Sequence, residues 1–449
     1  LVTLDPVDGA ILALYGGPDY LTQSQNAVTQ DIAQAGSTFK PFALTAYLEG
    51  GGSLKSRYSG ANRFPMEGFT DNVVRNFGNS SYGKIDLVEA TAKSVNSVYA
   101  QINAEVTPAA TLDVARRAGL PDAALEGQDV VANVLGTASP HPLDMAQAYN
   151  TFSAQGLRSE PFIVRTVEYL DGRLAHSGGV TPERAFAEDV MADVTHALTQ
   201  VVESSGATAR KAQAVGYPVA GKTGTSSDNK SAWFIGFTRQ LTTSVTLYQV
   251  GPEGQQESIT AFGGYEQITG GSVPLDIWTA YMTQAMTGRE QLDFPPRADV
   301  GEPNTPPLVE VPAVVGLPEA DAVAALTAAG LVADVQRAND PSVAEGLVVS
   351  ASASGEIEQG STVSIVVSLG TGTVAVPDVS GMSADDARAE LAAAGFAVEV
   401  VEAYDADVPE GDVVGIAPGS GSQAPPGSTV TITVSLGPDP DAGPAPGSP

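Results

Sequence analysis

The sequence predicts an α+β protein: an antiparallel sheet packed with helices, followed by two small α+β domains. Three observations carry that prediction. The opening "LVTLDPVDGAILALYGG" reads as two strands around a turn. Residues 219–250 read as three successive strands, an antiparallel meander, and residues 1–290 as a whole mix strands with longer helical stretches. Beyond residue 310, "VPAVVGLPEADAVAALTAAG" (311–330) returns as "VPDVSGMSADDARAELAAAG" (376–395), an offset of 65. That period is too long for a solenoid unit and suits two tandem small domains.

At 449 residues, 43% apolar and 16% charged, the chain is globular and large enough for several cores. Its formal net charge is −30, unevenly spread. Residues 301–449 hold 21 Asp or Glu against two Arg, a balance of −19. Such a chain repels a phosphate backbone, which argues against nucleic acid as a partner. There is no cysteine, so a thiol nucleophile and disulfides are excluded. No apolar run reaches membrane-spanning length. Because the chain starts inside a hairpin and without Met, we expect that something was removed upstream.

The expected boundaries are a first domain over 1–292, a proline-rich linker over 293–308 ("DFPPRADVGEPNTPPL"), small domains over 309–371 and 374–438, and a disordered tail over 439–449. Each small domain reads as a short helix followed by strands. In the second, Ser383 is a candidate N-cap, with Asp385 and Asp386 in the first turn and Ala387, Leu391 and Ala394 on one face.

Chemistry enters with "AGSTFKPFAL" (35–44). Ser-x-x-Lys occurs three times, at Ser37, Ser81 and Ser227, so the pair alone means little. Only Ser37 opens an apolar helical stretch; the other two sit among turn residues. Pro41 is tolerated only in a first turn, which puts Ser37 near a helix N-terminus. There the Lys40 amine shares a face with the Ser37 hydroxyl. A lysine becomes a base for a serine when burial or a neighbouring cation lowers its pKa. In "ATAKSVNSVYAQINAEV" (90–106) Ser94 is a candidate N-cap whose hydroxyl relays protons, and Asn96 a candidate amide donor. Lys-Thr-Gly occurs once, at Lys222, Thr223 and Gly224, on the first strand of the meander. A glycine on an edge strand lets a substrate backbone approach, and Lys222 supplies a positive charge that also keeps Lys40 neutral. Trp233 and Phe234 read as strand core. The histidines, His141, His176 and His196, read as surface residues, and no metal and no cofactor is expected.

Ser-x-x-Lys, Ser-x-Asn and Lys-Thr-Gly, in that order, resemble the signature of penicillin-binding proteins and class A β-lactamases. The phrases "LDPVDGAILALYGG", "GSTFKPF", "SPHPLDMAQAYNTFSAQG" and "GKTGTSSDNKSAWFIGF" resemble the transpeptidase domain of bifunctional, class A penicillin-binding proteins over about residues 1–290. The two repeats resemble PASTA domains. The resemblance implies Ser37 as acylated nucleophile, Lys40 as its base, Ser94 and Asn96 as second motif, and Lys222, Thr223 and Gly224 as third. It places the oxyanion hole at the backbone N–H groups of Ser37 and Thr225. It also implies stem peptides ending in D-Ala-D-Ala as substrate, β-lactams as covalent inhibitors, and work at the extracytoplasmic face of a bacterial membrane. An upstream glycosyltransferase domain and membrane anchor, absent from this chain, are implied as well. Ser231 departs from the family's usual Asp before "AWF", with little effect expected. No Glu-x-x-Leu-Asn lies between Asn96 and Lys222, so the deacylating glutamate of a class A β-lactamase is missing. A carboxypeptidase stays open as an alternative, because water can replace the acceptor amine, as does a wall-binding or sensor protein with an idle catalytic domain.

Overall fold

The computed structural model of the chain describes residues 1–21, 23–179 and 181–440. The expected tail therefore lies almost wholly outside the described residues. Two compact units are present, residues 1–305 and Pro306 onward.

The first unit is built on an antiparallel sheet. β1 (Val2–Leu4) and β2 (Ile11–Leu14) form the opening hairpin. β3 (Ala220–Thr225), β4 (Ser231–Phe237) and β5 (Thr242–Val250) form the meander. The spatial order is β3-β4-β5-β1-β2, so the Lys-Thr-Gly strand lies at an edge. Every residue of β4 is buried, because both faces of the sheet are covered. Alternation along β4 splits its side chains between two cores. Trp233, Ile235 and Phe237 join Phe39, Phe42, Tyr149 and Phe152 on one side. Phe234 meets Trp278, edge to face at 5.0 Å, with Leu275 and Met282 on the other.

The helices of this unit include α1 (Lys40–Glu49), α2 (Asn96–Val106), α3 (Pro142–Ser153), α4 (Glu188–Glu203) and α5 (Val273–Ala285). α1 is buried from Lys40 to Leu48, as expected of a helix that is apolar all round. Its Pro41 sits in the first turn, where no intrahelical N–H is required.

The proline-rich segment departs from the linker expectation. Asp193 on α4 is fully buried, and its carboxylate accepts backbone N–H bonds from Ala298 (2.7 Å), Asp299 (3.0 Å) and Val300 (3.0 Å). Gly301 lies so close to the turn after α1 that a Cβ there would stand 2.1 Å from the Gly52 carbonyl oxygen. Asn304 N–H then donates to Ser56 Oγ, and Arg57 N–H to Asn304 Oδ1. Residues 298–304 are thus a strap fastened to the first unit. Proline removes ladder donors, but it does not stop the remaining N–H groups from finding a carboxylate.

In the second unit each repeat has its own core and the same plan. A short leading strand precedes the helix, Glu319–Ala328 or Ala384–Ala393. A three-stranded sheet follows, its central strand Thr362–Ser368 or Thr429–Ser435 pairing parallel on one side and antiparallel on the other. Ser383 caps its helix, its hydroxyl accepting from Asp386 N–H. Phe396 is core, which leaves Tyr404 as the exposed aromatic of the repeats.

Candidate active site

Ser37 lies in a 3-10 turn, Gly36–Phe39, that runs straight into α1. It is half-buried at the floor of a cleft of about 460 Å3. The cleft is also lined by Ser94, Asn96, Thr223 and Thr225. All three motifs therefore converge, across more than 180 residues of chain. A larger and mostly apolar groove of about 1000 Å3 lies between residues 1–31 and Val245–Val250, but it holds none of the motif residues.

Two buried lysines meet at one hydroxyl. Lys40 Nζ donates to the Ser94 carbonyl (2.7 Å) and to Asn96 Oδ1 (2.7 Å), and stands 3.1 Å from Ser94 Oγ. Lys222 Nζ donates to Ser94 Oγ (2.8 Å) and to the Thr223 carbonyl (3.1 Å). Neither amine is exposed. Desolvation, and secondarily the charge of Lys222, holds Lys40 well below the usual lysine range. Desolvation brings Lys222 down to about 7. Burial thus disfavours the charged form of both amines, and at Lys40 the neighbouring charge of Lys222 adds to it. Two acceptors absorb two of the Lys40 N–H groups, which leaves the lone pair of a neutral amine free on the remaining side.

Ser94 does not cap α2; the cap position belongs to Val95. Ser94 instead adopts φ 57°, a left-handed conformation that a non-glycine residue takes only when its surroundings impose it. That backbone turns both its carbonyl and its hydroxyl toward Lys40. The Asn96 amide nitrogen, expected to face a substrate, donates to the Arg75 carbonyl at 2.8 Å. Its oxygen is thereby fixed toward Lys40. Among the described residues Ser37 Oγ makes no hydrogen bond, and Ser37 lines the cleft.

Packing also requires a glycine at position 224. A Cβ there would lie 2.7 Å from the Ala35 carbonyl oxygen and 2.7 Å from Thr38 Cγ2. Gly36 adopts φ 57°, and a Cβ there would likewise stand 2.7 Å from the Thr225 carbonyl oxygen. The nucleophile turn and β3 thus touch backbone to backbone. Thr223 Oγ1 donates to Thr208 Oγ1 (2.9 Å), and Thr225 Oγ1 accepts from Gly270 N–H (3.1 Å).

Sequence reasoning missed several lining residues. Thr208 and Thr269 come from loops without a motif; Phe77 and Tyr82 form an apolar wall, with Phe77 67% exposed. Lys93 stands at the rim, paired with Glu89 at 2.6 Å. Away from the lining, Ser231 is fully buried and donates to the Gln34 carbonyl at 2.6 Å, a contact that no motif announces. His141 and His196 are half-buried rather than superficial; His141 Nδ1 contacts the Asp31 carbonyl at 2.9 Å.

Known proteins place this arrangement. Residues 1–266 match the family model of the penicillin binding protein transpeptidase domain, and residues 309–369 and 374–436 match the PASTA domain. The chain belongs to the penicillin-binding protein transpeptidase family, and carries two PASTA domains after the catalytic unit. Penicillin-binding protein 1A of Neisseria lactamica is 32% identical over 299 residues, which are 64% of this chain and 36% of that protein. Penicillin-binding protein 1A of Mycobacterium tuberculosis is 31% identical over 326 residues, 67% of this chain and 38% of that protein. The chain thus spans little more than a third of these curated relatives. Among solved structures, PonA1 from M. tuberculosis in complex with penicillin V superposes with a TM-score of 0.56 at 28% identity, covering 68% of this chain and 83% of that one. Penicillin-binding protein 1A from Haemophilus influenzae, at 21% identity and TM-score 0.57, covers 69% of this chain and 50% of that one and shares the fold.

Proposed function

We propose that this chain is a serine-acyl DD-transpeptidase that cross-links peptidoglycan stem peptides through an ester on Ser37. The observation that carries the reading is the pair of buried lysine amines sharing Ser94 Oγ beside the Ser37 hydroxyl.

Neutral Lys40 takes the Ser37 proton as Oγ attacks the carbonyl carbon between the two terminal D-Ala residues. The N–H groups of Ser37 and Thr225 stabilise the oxyanion, and Gly36 packed on Thr225 holds those two segments at fixed separation. The C–N bond then breaks. The departing D-Ala amine takes a proton through the Ser94 hydroxyl, which Lys40, 3.1 Å away, refills with the proton it took from Ser37, while the Lys222 amine holds Ser94 Oγ in place. Thr223 and Thr225 line the side of the cleft along which an extended peptide lies. An acceptor amine of a second stem peptide attacks the ester, its proton returns by way of Lys40, and Ser37 is released.

A β-lactam follows the same first step. No hydrolytic glutamate motif is present between Asn96 and Lys222, so the ester persists. We further propose that a glycosyltransferase domain and a membrane anchor belong to the full-length enzyme, which works at the extracytoplasmic face of the membrane. The relatives extend well beyond the matched region, which supports that reading. Among the described residues no helix is long and apolar enough to cross a membrane.

The test is product analysis with a donor stem peptide and an amine acceptor. Cross-linked dimer and released D-Ala are expected in equal amounts. Release of D-Ala with no dimer at any acceptor concentration would assign a carboxypeptidase instead.

A further inference from the structure

The segment that delivers the nucleophile is clamped from two sides. On one side residues 33–36 run beside 136–140: Ala33 N–H donates to the Pro140 carbonyl (3.2 Å), Ala35 N–H to Ala138 (2.9 Å) and Gly36 N–H to Gly136 (3.1 Å). On the other side, beyond the close approach of Ala35 and Gly36 to β3, it meets β4 at the Gln34 carbonyl. The Gln34 oxygen accepts both the Ser231 hydroxyl (2.6 Å) and the Trp233 indole N–H (2.8 Å). Ser231 and Trp233 alternate on one face of β4, and both are fully buried. A carbonyl oxygen has two lone pairs, and here both are filled by side chains of one strand.

The consequence is geometric. β4 is also the strand that pairs with β3, with Trp233 opposite Gly224 and Ala232 opposite Thr225. One strand therefore fixes both halves of the oxyanion hole: Thr225 by ladder pairing and, through Gln34, the turn that presents Ser37. Ser231 is also anchored itself, its N–H donating to Ser226 Oγ (2.9 Å) just past the end of β3.

We propose that Ser231 is a positioning residue for acyl transfer, whose hydroxyl, with the Trp233 indole, holds the Gln34 carbonyl and so sets the spacing of the Ser37 and Thr225 amides. This rests on the oxyanion-hole assignment made above. Donors for an oxyanion must stand within a few tenths of an ångström of their places in the transition state, and matter little to ground-state binding. Loss of the Ser231 hydroxyl therefore slows the acylation step while leaving the affinity of the preceding complex nearly unchanged.

The experiment measures acylation by a β-lactam under pre-steady-state conditions, separating the dissociation constant from the acylation rate constant, for wild type and for Ser231→Ala, Ser231→Val and Ser231→Thr. Thr and Val have the same shape, and only Thr keeps the hydroxyl. Ala and Val variants are expected to acylate about three- to thirtyfold more slowly, the worth of one buried neutral hydrogen bond felt in the transition state, with the Thr variant recovering most of the loss. The pH at which the rate falls by half stays where it is in wild type, since the base is untouched. Equal rates in all four proteins would overturn the proposal. So would a loss that appears in the dissociation constant, or one that follows melting temperature irrespective of the hydroxyl. If wild type itself fails to acylate at Ser37, the functional reading falls; if wild type reacts and the Ala variant reacts equally fast, only the role of Ser231 falls.

Discussion

Within residues 1–305 the interior holds two lysine amines and an aspartate carboxylate, Lys40, Lys222 and Asp193, none of them exposed. In the two repeats the buried polar residues are Ser368 and Ser435, each at the end of a central strand and each donating to a nearby carbonyl, of Val343 at 2.7 Å and Val408 at 2.8 Å. Their charge lies outside, where water solvates it, and it is almost entirely of one sign. Burying an ammonium group costs stability, and strongly shifted amines cluster where chemistry uses the shift. The first unit accepts that cost twice within the reach of one hydroxyl. The repeats accept it nowhere, and are built as small apolar cores with a solvated shell. The difference separates a region shaped by a reaction from one shaped by the need to stay folded and soluble.

The comparison breaks most readily at Lys40. Lys40→Met fills the same volume without a base, and acylation by a β-lactam is expected to fall by about 10²–10⁴-fold with no loss of melting temperature. Stopped-flow with a fluorescent penicillin measures the rate and calorimetry the stability. A variant that reacts at near-normal rate moves the base elsewhere.

The linkage between the two lysines gives a pH test. In the proposed mechanism acylation requires neutral Lys40, so the rate is expected to fall on the acid side as Lys40 gains a proton. The charge of Lys222 is one of the two causes that depress Lys40. Lys222→Met removes it, the Lys40 pKa rises, and the acid limb of the rate profile moves to higher pH. A limb that stays in place, or moves to lower pH, contradicts the pairing.

Truncation sharpens the boundary between the regions. Cutting after residue 292 strips Asp193 of its three backbone donors. The stranded carboxylate is expected to lower the stability of the first unit by about 2–4 kcal/mol, read from urea denaturation. Cutting after Thr305 keeps the strap and is expected to leave both stability and acylation unchanged. Equal stability of the two truncations would show that the strap is ornamental.

The smallest effect belongs to the repeats. Their one exposed aromatic, Tyr404, and their surplus of carboxylates offer little to a sugar face or a stem-peptide carboxylate. Titration of wall fragments into residues 306–440 is expected to show nothing tighter than about millimolar, near −4 kcal/mol. Micromolar binding would give these domains a recognition role beyond that of a spacer.

How much was legible in the sequence follows from the range of each interaction. The meander could be read because alternation is local: the strands expected at 219–225, 232–237 and 241–250 appear as Ala220–Thr225, Ser231–Phe237 and Thr242–Val250. Ser37, Lys40, Ser94, Asn96 and Lys222 were legible as motifs, since their chemistry fixes residue type and spacing. What Gly224 serves was not legible, because its neighbour Ala35 is nearly 190 residues away in sequence. Ser231 was set aside for the same reason; nothing near it in the chain says that Gln34 lies above it. Asp193 did leave a signal. It interrupts the apolar face of α4 between Val190, Val194 and Ala197, and an acid in that place asks for a partner. The partner lay in a segment whose prolines made it look like free chain.

The most direct test of the account is mass spectrometry of the intact chain after exposure to penicillin, followed by peptide mapping. One drug mass per chain is expected, persistent over hours, on the peptide that contains Ser37, and lost altogether in Ser37→Ala. An adduct on Ser81 or Ser227, or a chain that stays unmodified while remaining folded, would contradict the central claim that the buried lysine pair exists to activate Ser37.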